Sequence, residues 1–311
     1  MTRWLNAFLA ICAVAIISGC GGSDDDHPPP QDIVQTAQAD PQFSILVEAV
    51  VAADLTTTLS GTGPFTVFAP TNDAFAALLA ELGITKAQLL ADKPLLTAVL
   101  TYHVVAGAVP RTAIPMGKAI TTVQGDIFKV DSLPAGLVIT DGRNRNPKIT
   151  ATDIVASNGL IHVVDKVLLP ANKTIVGTAA ATPSLSILVE AVTAANLGAT
   201  LSGTGPFTVF APTNDAFAAL LAELGVTKAQ LLADTTLLTK VLTYHVVAGR
   251  VLKADVPIGT PITAVEGETF TVGANLAITD KRGRSANIVA TDILTSNGVV
   301  HLIDKVILPS P

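Results

Sequence analysis

The side chains able to do chemistry recur in pairs along this chain. Tyr102-His103 returns as Tyr244-His245, and His162 returns as His301, each followed three positions on by an aspartate, Asp165 or Asp304. A histidine oriented by a carboxylate can act as a general base, and histidines grouped with acids can hold a metal ion. Neither chemistry has its spacing here. Alternation along a strand puts His162 and Asp165, and likewise His301 and Asp304, on opposite faces. Each repeated copy has only two histidines, far apart, and no carboxylate at a helical offset completes a ligand set. No serine or cysteine stands in a nucleophile-elbow context. Asp153-Ile154 and Asp292-Ile293 stay open: an acidic residue beside a hairpin either caps a turn or faces a partner. The expectation is therefore no catalytic residue, no metal and no cofactor.

The beginning of the chain sets the compartment. Met1-Thr2-Arg3 is a short positive start, Leu5 to Ile17 is apolar except for Asn6, and Ile17-Ser18-Gly19-Cys20 ends the run on small residues and a cysteine. Residues 1–19 read as a secretory signal, with Cys20 as the lipidation site of a bacterial lipoprotein. The run is short for a spanning helix, which needs about 20 apolar residues. Acyl chains on Cys20 would hold the protein on a membrane. Residues 20–31, with Asp24-Asp25-Asp26-His27 and three prolines, read as a solvated tether, not a metal site. Removing residues 1–19 takes Arg3, Cys12 and the one tryptophan, leaving 18 basic against 25 acidic residues, a net of −7. Without a basic cluster nucleic acid is excluded as a partner. With Cys20 as the one cysteine left, no disulfide can form, so stability rests on apolar burial. With 49% hydrophobic and 14% charged residues, the chain can fill two cores.

The elements that position these residues are written twice. GTGPFTVFAPTNDAFAALLAELG occupies 61–83 and 203–225 without a change, and LTYHVVAG occupies 100–107 and 242–249, a constant offset of 142. Past a three-residue deletion within 131–136 the offset is 139, matching Asn158-Gly159 to Asn297-Gly298. Domains are expected over 32–170 and 173–309, close together because the connection is short. In each copy Ser44 is expected to cap a helix to about Asp54, with Leu46, Val47, Val50 and Val51 as its apolar stripe. Phe65 to Phe68 alternates as a strand, Asp73 to Leu82 is a helix stopped by Gly83, and Thr85 with Gln88 forms a capping box. Pro94 opens a helix whose stripe carries Leu96, Val99, Leu100 and His103. The remainder is strand-like and closes on a hairpin at Asn158-Gly159. Helices first and strands after make an α+β domain. Tyr102 and His103 look buried, as a polar pin of the helix, with a ligand role as the alternative.

Three segments together resemble the fasciclin domain: FTVFAPTNDAF, the Tyr-His pair of LTYHVVAG, and TDIVASNGLIHVVDKVLLP with its twin TDILTSNGVVHLIDKVILP. The resemblance covers both copies nearly end to end. It implies a wedge of two β-sheets with several packed helices, placed outside the cell, serving adhesion or weak binding rather than catalysis. In animal members the Tyr-His region and an Asp-Ile pair are tied to integrin binding. By that likeness the candidate binding residues are Tyr102, His103, Asp153 and Ile154 in the first copy, and Tyr244, His245, Asp292 and Ile293 in the second.

The expected function is a lipid-anchored binding or adhesion module of the cell envelope, on the outer membrane if the host is Gram-negative, whose two domains present repeated weak sites. The expected partners are the membrane, through the lipid, and a protein on a cell surface or matrix. Glycans are disfavoured, because sugar sites stack on aromatic faces and the processed chain has no tryptophan and two tyrosines. The alternatives are an envelope enzyme or metal-binding protein using the repeated histidines, or a structural spacer. The copies differ most over 110–148 and its counterpart 252–287, where different partners would be distinguished. There Arg143 and Arg145 match Arg282 and Arg284 among altered neighbours.

Overall fold

A computed structural model describes residues 30–311. Residues 1–19, where a signal is expected, Cys20 and all but the last two residues of the expected 20–31 tether lie outside the described residues. Among the described residues no helix is long and apolar enough to cross a membrane.

The first repeat begins with helices Ile33–Ala39 (α1), Ser44–Ala52 (α2) and Thr56–Leu59 (α3), then strand Phe65–Pro70 (β1). Helices Asn72–Leu82 (α4), Lys86–Ala91 (α5) and Lys93–Tyr102 (α6) follow. It ends in strands Val104–Ala106 (β2), Ile120–Thr121 (β3), Ile127–Leu133 (β4), Gly136–Thr140 (β5), Ile149–Ala156 (β6) and Gly159–Val164 (β7). The second repeat retraces this order with helices Ile175–Ala180 (α7), Ser186–Ala194 (α8), Gly198–Leu201 (α9), Asn214–Leu224 (α10), Lys228–Ala233 (α11) and Thr235–Tyr244 (α12). Its strands are Phe207–Pro212 (β8), Val246–Ala248 (β9), Pro261–Thr263 (β10), Thr269–Val272 (β11), Ala277–Thr279 (β12), Ser285–Thr295 (β13) and Gly298–Ile303 (β14).

β1 is the centre of the first repeat. It pairs antiparallel with β2 and parallel with β7, giving the order β2-β1-β7-β6. Five of its six residues are buried, as a strand covered on both faces requires. Helices cover one face, with Phe75, Leu78, Leu96 and Leu100 packed against Val67, Ile161 and Val163. The β3-β4-β5 sheet covers the other, where Phe68 meets Phe128 edge-on at 4.9 Å. Two sheets with helices outside one of them make the expected α+β wedge. In the second repeat the long β13 pairs first with β12 and then with β14, so the two sheets run together as one of seven strands.

The capping box of Thr85 and Gln88 forms, and Gly83 ends α4 at φ 65°. Three local expectations need correction. Ser44 does not cap α2; the side chain of Asn72, 27 residues on, accepts from the Ile45 N–H at 3.0 Å and does so instead. Val51 is 55% exposed, so the buried face of α2 is Leu46, Ala49 and Val50. The hairpin loop is Ser157-Asn158, with Ala156 paired to Gly159, and neither loop residue has a positive φ. Gly159 is required for another reason: a Cβ there would lie 2.0 Å from the Phe65 carbonyl oxygen.

The asparagine of that loop ties three segments together. Asn158 Oδ1 accepts from the Ile33 N–H at 2.9 Å, and its Nδ2 donates to the carbonyls of Leu59 and Gly61, both at 2.8 Å. Asn297 repeats all three contacts in the second repeat. Replacing Asn158 with Ala leaves buried donors and acceptors unpaired, and urea unfolding is expected to show a loss of at least about 2 kcal/mol. A loss below about 0.5 kcal/mol, the range of ordinary surface changes, would show that the loop does not hold the helices.

Candidate functional site

The Tyr-His pairs are placed by the end of α6 and of α12, where the apolar stripe turns them into the wedge. Tyr102 is wholly buried; its hydroxyl donates to the Ile127 carbonyl at 2.6 Å and accepts from the Gly142 N–H at 2.8 Å. Burial holds its pKa well above the usual tyrosine value, with nearby Asp141 adding to the effect. Tyr244 repeats the arrangement with Thr269 and Lys281, and burial pushes it up to about 12. His103 Nδ1 faces the Val99 carbonyl at 2.7 Å and so carries the proton, while Nε2 accepts from the Leu168 N–H at 2.8 Å. His245 does the same with Val241 and Ile307. The polar atoms of both pairs are thus spent inside their own repeats.

His162 and His301 belong to a different device. In each repeat the strand before the last slips register, between Ala151 and Ile154 in β6 and between Ala290 and Ile293 in β13. Asp153 and Asp292 sit in these bulges with φ of 59° and 60°, a left-handed backbone that Asp tolerates better than most residues. A histidine on the neighbouring strand holds each bulge. His162 Nε2 donates to the Val109 carbonyl at 2.9 Å and Nδ1 accepts from the Asp153 N–H at 3.2 Å; His301 serves Val251 and Asp292 at the same distances. The carboxylates cap the next turn, accepting from the Arg111 N–H at 2.8 Å and the Lys253 N–H at 2.7 Å. Asp165 and Asp304, which follow these histidines, instead accept from the backbone of Lys148 and Asn287.

The second repeat's bulge meets the first repeat. Lys129 of β4 places its ammonium 2.8 Å from Asp292 Oδ2 and 3.0 Å from Asp131. Burial alone would depress Lys129, but the bonds to Asp292 and Asp131 outweigh it and hold its pKa above the usual lysine value. Two residues on, the Asn144 side chain donates to the Leu294 carbonyl at 3.0 Å and accepts from the Leu294 N–H at 2.7 Å, as a neighbouring strand would. Ile127 packs with Leu252, Leu294 and Val299, all buried.

Among the described residues the first repeat's equivalent edge has no such cover. Asp153 and Val155 are exposed, Val155 by 76% against 2% for its counterpart Leu294. The two edges differ because the residues covering the second repeat's edge, Ile127, Lys129 and Asn144, come from the first repeat. Ile127, Lys129 and Asn144 correspond to Thr269, Thr271 and Gly283. Sequence reasoning missed these three residues. The signal was present in the divergence of 110–148 from 252–287, but which substitution mattered depends on what lies opposite it in space.

The paired histidines carry a pH consequence. Burial lowers the pKa of His103 and of His245 from 6.5 to about 4. The unfolded chain takes up these protons below about pH 6.5, whereas the folded chain refuses them until about pH 4. Stability is therefore complete above pH 6.5 and falls across that window by up to about 1.4 kcal/mol per pH unit for each histidine. Urea midpoints measured from pH 7 to 4.5 are expected to fall, and less steeply in His103→Gln; equal slopes in the two proteins would contradict the buried neutral assignment.

The family model described as "Fasciclin domain" matches residues 41–170 and 183–309. Protein sll1483 of Synechocystis sp. is 46% identical over 143 residues, covering 44% of this chain and 73% of that protein. Transforming growth factor-beta-induced protein ig-h3 of Sus scrofa is 33% identical over 186 residues, covering 60% of this chain and 26% of its own length. Human periostin is 28% identical over 274 residues, 86% of this chain and 30% of periostin, so the chain spans under a third of these animal relatives. Among solved structures, a domain pair of the insect cell adhesion molecule Fasciclin I is similar at a TM-score of 0.43 and 17% identity, covering 88% of this chain and 95% of that one. With the wedge fold, the repeated segments and the match over both halves in hand, the chain belongs to the fasciclin domain family and carries two such domains in tandem.

Proposed function

We propose that this chain is an adhesion module of the bacterial cell envelope, anchored through a lipid on Cys20, and that it holds a protein partner at the Asp153-Ile154-Val155 edge of its first repeat. One observation carries the reading: the second repeat uses the same edge to hold a protein surface, while the first leaves it open. The internal contact also gives the chemistry of the partner. An ammonium or guanidinium would meet Asp153, and a branched aliphatic side chain would cover Val155. The fasciclin-domain match over both halves supports the same class of function.

Binding is favoured over catalysis by the use made of the histidines. In all four histidines of the two domains both ring nitrogens are committed to backbone groups. A general base needs a free nitrogen within reach of substrate. The partner site is single in this reading, and multivalency would come from many anchored chains rather than from two domains in one.

Two variants test the proposal. Asp153→Lys combined with Val155→Glu reverses the charge and removes the apolar contact, and cell or matrix adhesion to chain-coated surfaces is expected to fall at least about tenfold, the loss of one interface anchor. Val51→Glu, at another exposed apolar site, on α2, is the control and is expected to leave adhesion unchanged. Equal adhesion by all three proteins, each melting as the parent does, would overturn the assignment. Cys20→Ser is expected to move the protein from the membrane to the soluble fraction; unchanged membrane association would contradict the lipid anchor.

A further inference from the structure

Where the two repeats meet, a cleft of ≈ 470 Å³ opens beside the Asn144–Leu294 contact. Its walls come from both repeats: Glu81 and residues 142–145 from the first, Asn172 and Lys173 from the connection, Thr178 of α7 and Thr182 just after it, and Ile293 and Leu294 from β13. Three cations line it, Arg143, Arg145 and Lys173, against one carboxylate, Glu81.

These cations are not equally committed. Arg145 is spent: it bonds the buried Asp141 through Nε at 3.0 Å and a terminal nitrogen at 2.8 Å, and reaches Glu81 at 3.1 Å. Its one charge is thus shared between two carboxylates, Asp141 and Glu81. Arg143 is different. Its Nε is shielded from solvent and has no acceptor, whereas its counterpart Arg282 donates the equivalent N–H to the Pro309 carbonyl at 2.8 Å. Lys173 pairs with no carboxylate among the described residues, and its backbone carbonyl, bonded to the Ser296 N–H at 2.9 Å, fixes the base of its side chain. Counting the Asp141 behind Arg145, three cations and two carboxylates leave one net positive charge at the cleft, with Arg143 and Lys173 pairing with no carboxylate among the described residues, in a chain whose net charge is −6. An unpaired buried donor calls for an explanation, and clustered cations at the head of a polar cavity attract anions.

We infer that this cleft is a binding site for a small multivalent oxyanion, a phosphate- or carboxylate-bearing molecule, held between Arg143 and Lys173. The cleft falls in the size range of ligand pockets and is several times larger than a single inorganic anion. Arg143 supplies a planar fork suited to two anionic oxygens, and Lys173 a point charge. Thr178 lies on the same wall and can supply a further hydroxyl, whereas Thr182 Oγ1 already donates to the Thr178 carbonyl at 2.8 Å. Because the walls belong to both repeats, the anion would bridge them and stiffen their junction. The site is separate from the Asp153 edge, and neither depends on the other.

The test is titration calorimetry of the full chain with sodium pyrophosphate and with citrate, each at matched ionic strength in chloride. Saturable one-to-one binding is expected, weakened at least roughly tenfold in Arg143→Gln/Lys173→Gln, as the loss of charge-assisted hydrogen bonds implies. Arg282→Gln, the satisfied counterpart in the second repeat, is expected to bind as the parent does. Lys173→Glu serves as a second variant, since Lys173 is exposed and its replacement leaves the fold intact. An absence of saturable binding for both anions overturns the inference, as does undiminished binding by the double variant and Lys173→Glu. Sedimentation of the Cys20→Ser chain with phosphatidylglycerol vesicles, against phosphatidylcholine vesicles, separates the sources. Pyrophosphate-competed binding to the anionic vesicles alone assigns a lipid headgroup, and retained pyrophosphate binding without vesicle binding assigns a soluble anion.

Discussion

In each repeat the penultimate strand slips register twice, and at the second slip an aspartate takes the left-handed backbone that the step requires. The bulge turns that carboxylate out of the ladder and toward the start of the next turn. It would not persist unsupported, because a non-glycine residue at positive φ carries a cost of order 1 kcal/mol or more. The support is the histidine across the ladder, which accepts the aspartate's own N–H and donates to a carbonyl of the adjoining loop. The edge that follows the bulge, Asp-Ile-Val or Asp-Ile-Leu, is then a rigid surface with one acid and one apolar residue side by side.

What becomes of that surface differs between the repeats, and the difference lies in the residues opposite. Lys129 and Asn144 convert the edge of the second repeat into an internal seam: an ammonium neutralises a carboxylate that is 3% exposed, and an amide replaces a missing strand. A carboxylate so deeply placed is tolerable only with such a partner. Thr271 and Gly283, at the matching positions, could offer a third domain neither charge nor amide. The second repeat's own matching face is thus not built to form the same seam, while among the described residues the first repeat's edge lies free.

Much of this was legible in the sequence, though unevenly. The duplication, the central strand Phe65–Pro70, the Gly83 stop and the Thr85–Gln88 box follow from local chemistry within a few residues. The burial of Tyr102 and His103 was legible from the stripe of α6. What escaped is contact between distant segments: the cap on α2 comes from Asn72, Gly159 is demanded by the Phe65 carbonyl, and Asp292 acquires Lys129 from 163 residues away. Spacing along a chain carries no record of such approaches. The two Asp-Ile pairs look identical in sequence, and the wedge fold is shared, yet one pair is seam and the other is surface.

That asymmetry is the centre of the functional reading, and residue-resolved amide hydrogen exchange on the intact chain tests it most directly. The Leu294 N–H, bonded to Asn144 and buried in the seam, is expected to exchange far more slowly than the N–H of its exposed counterpart Val155. Equal exchange at the two positions would contradict an open first edge and a closed second one.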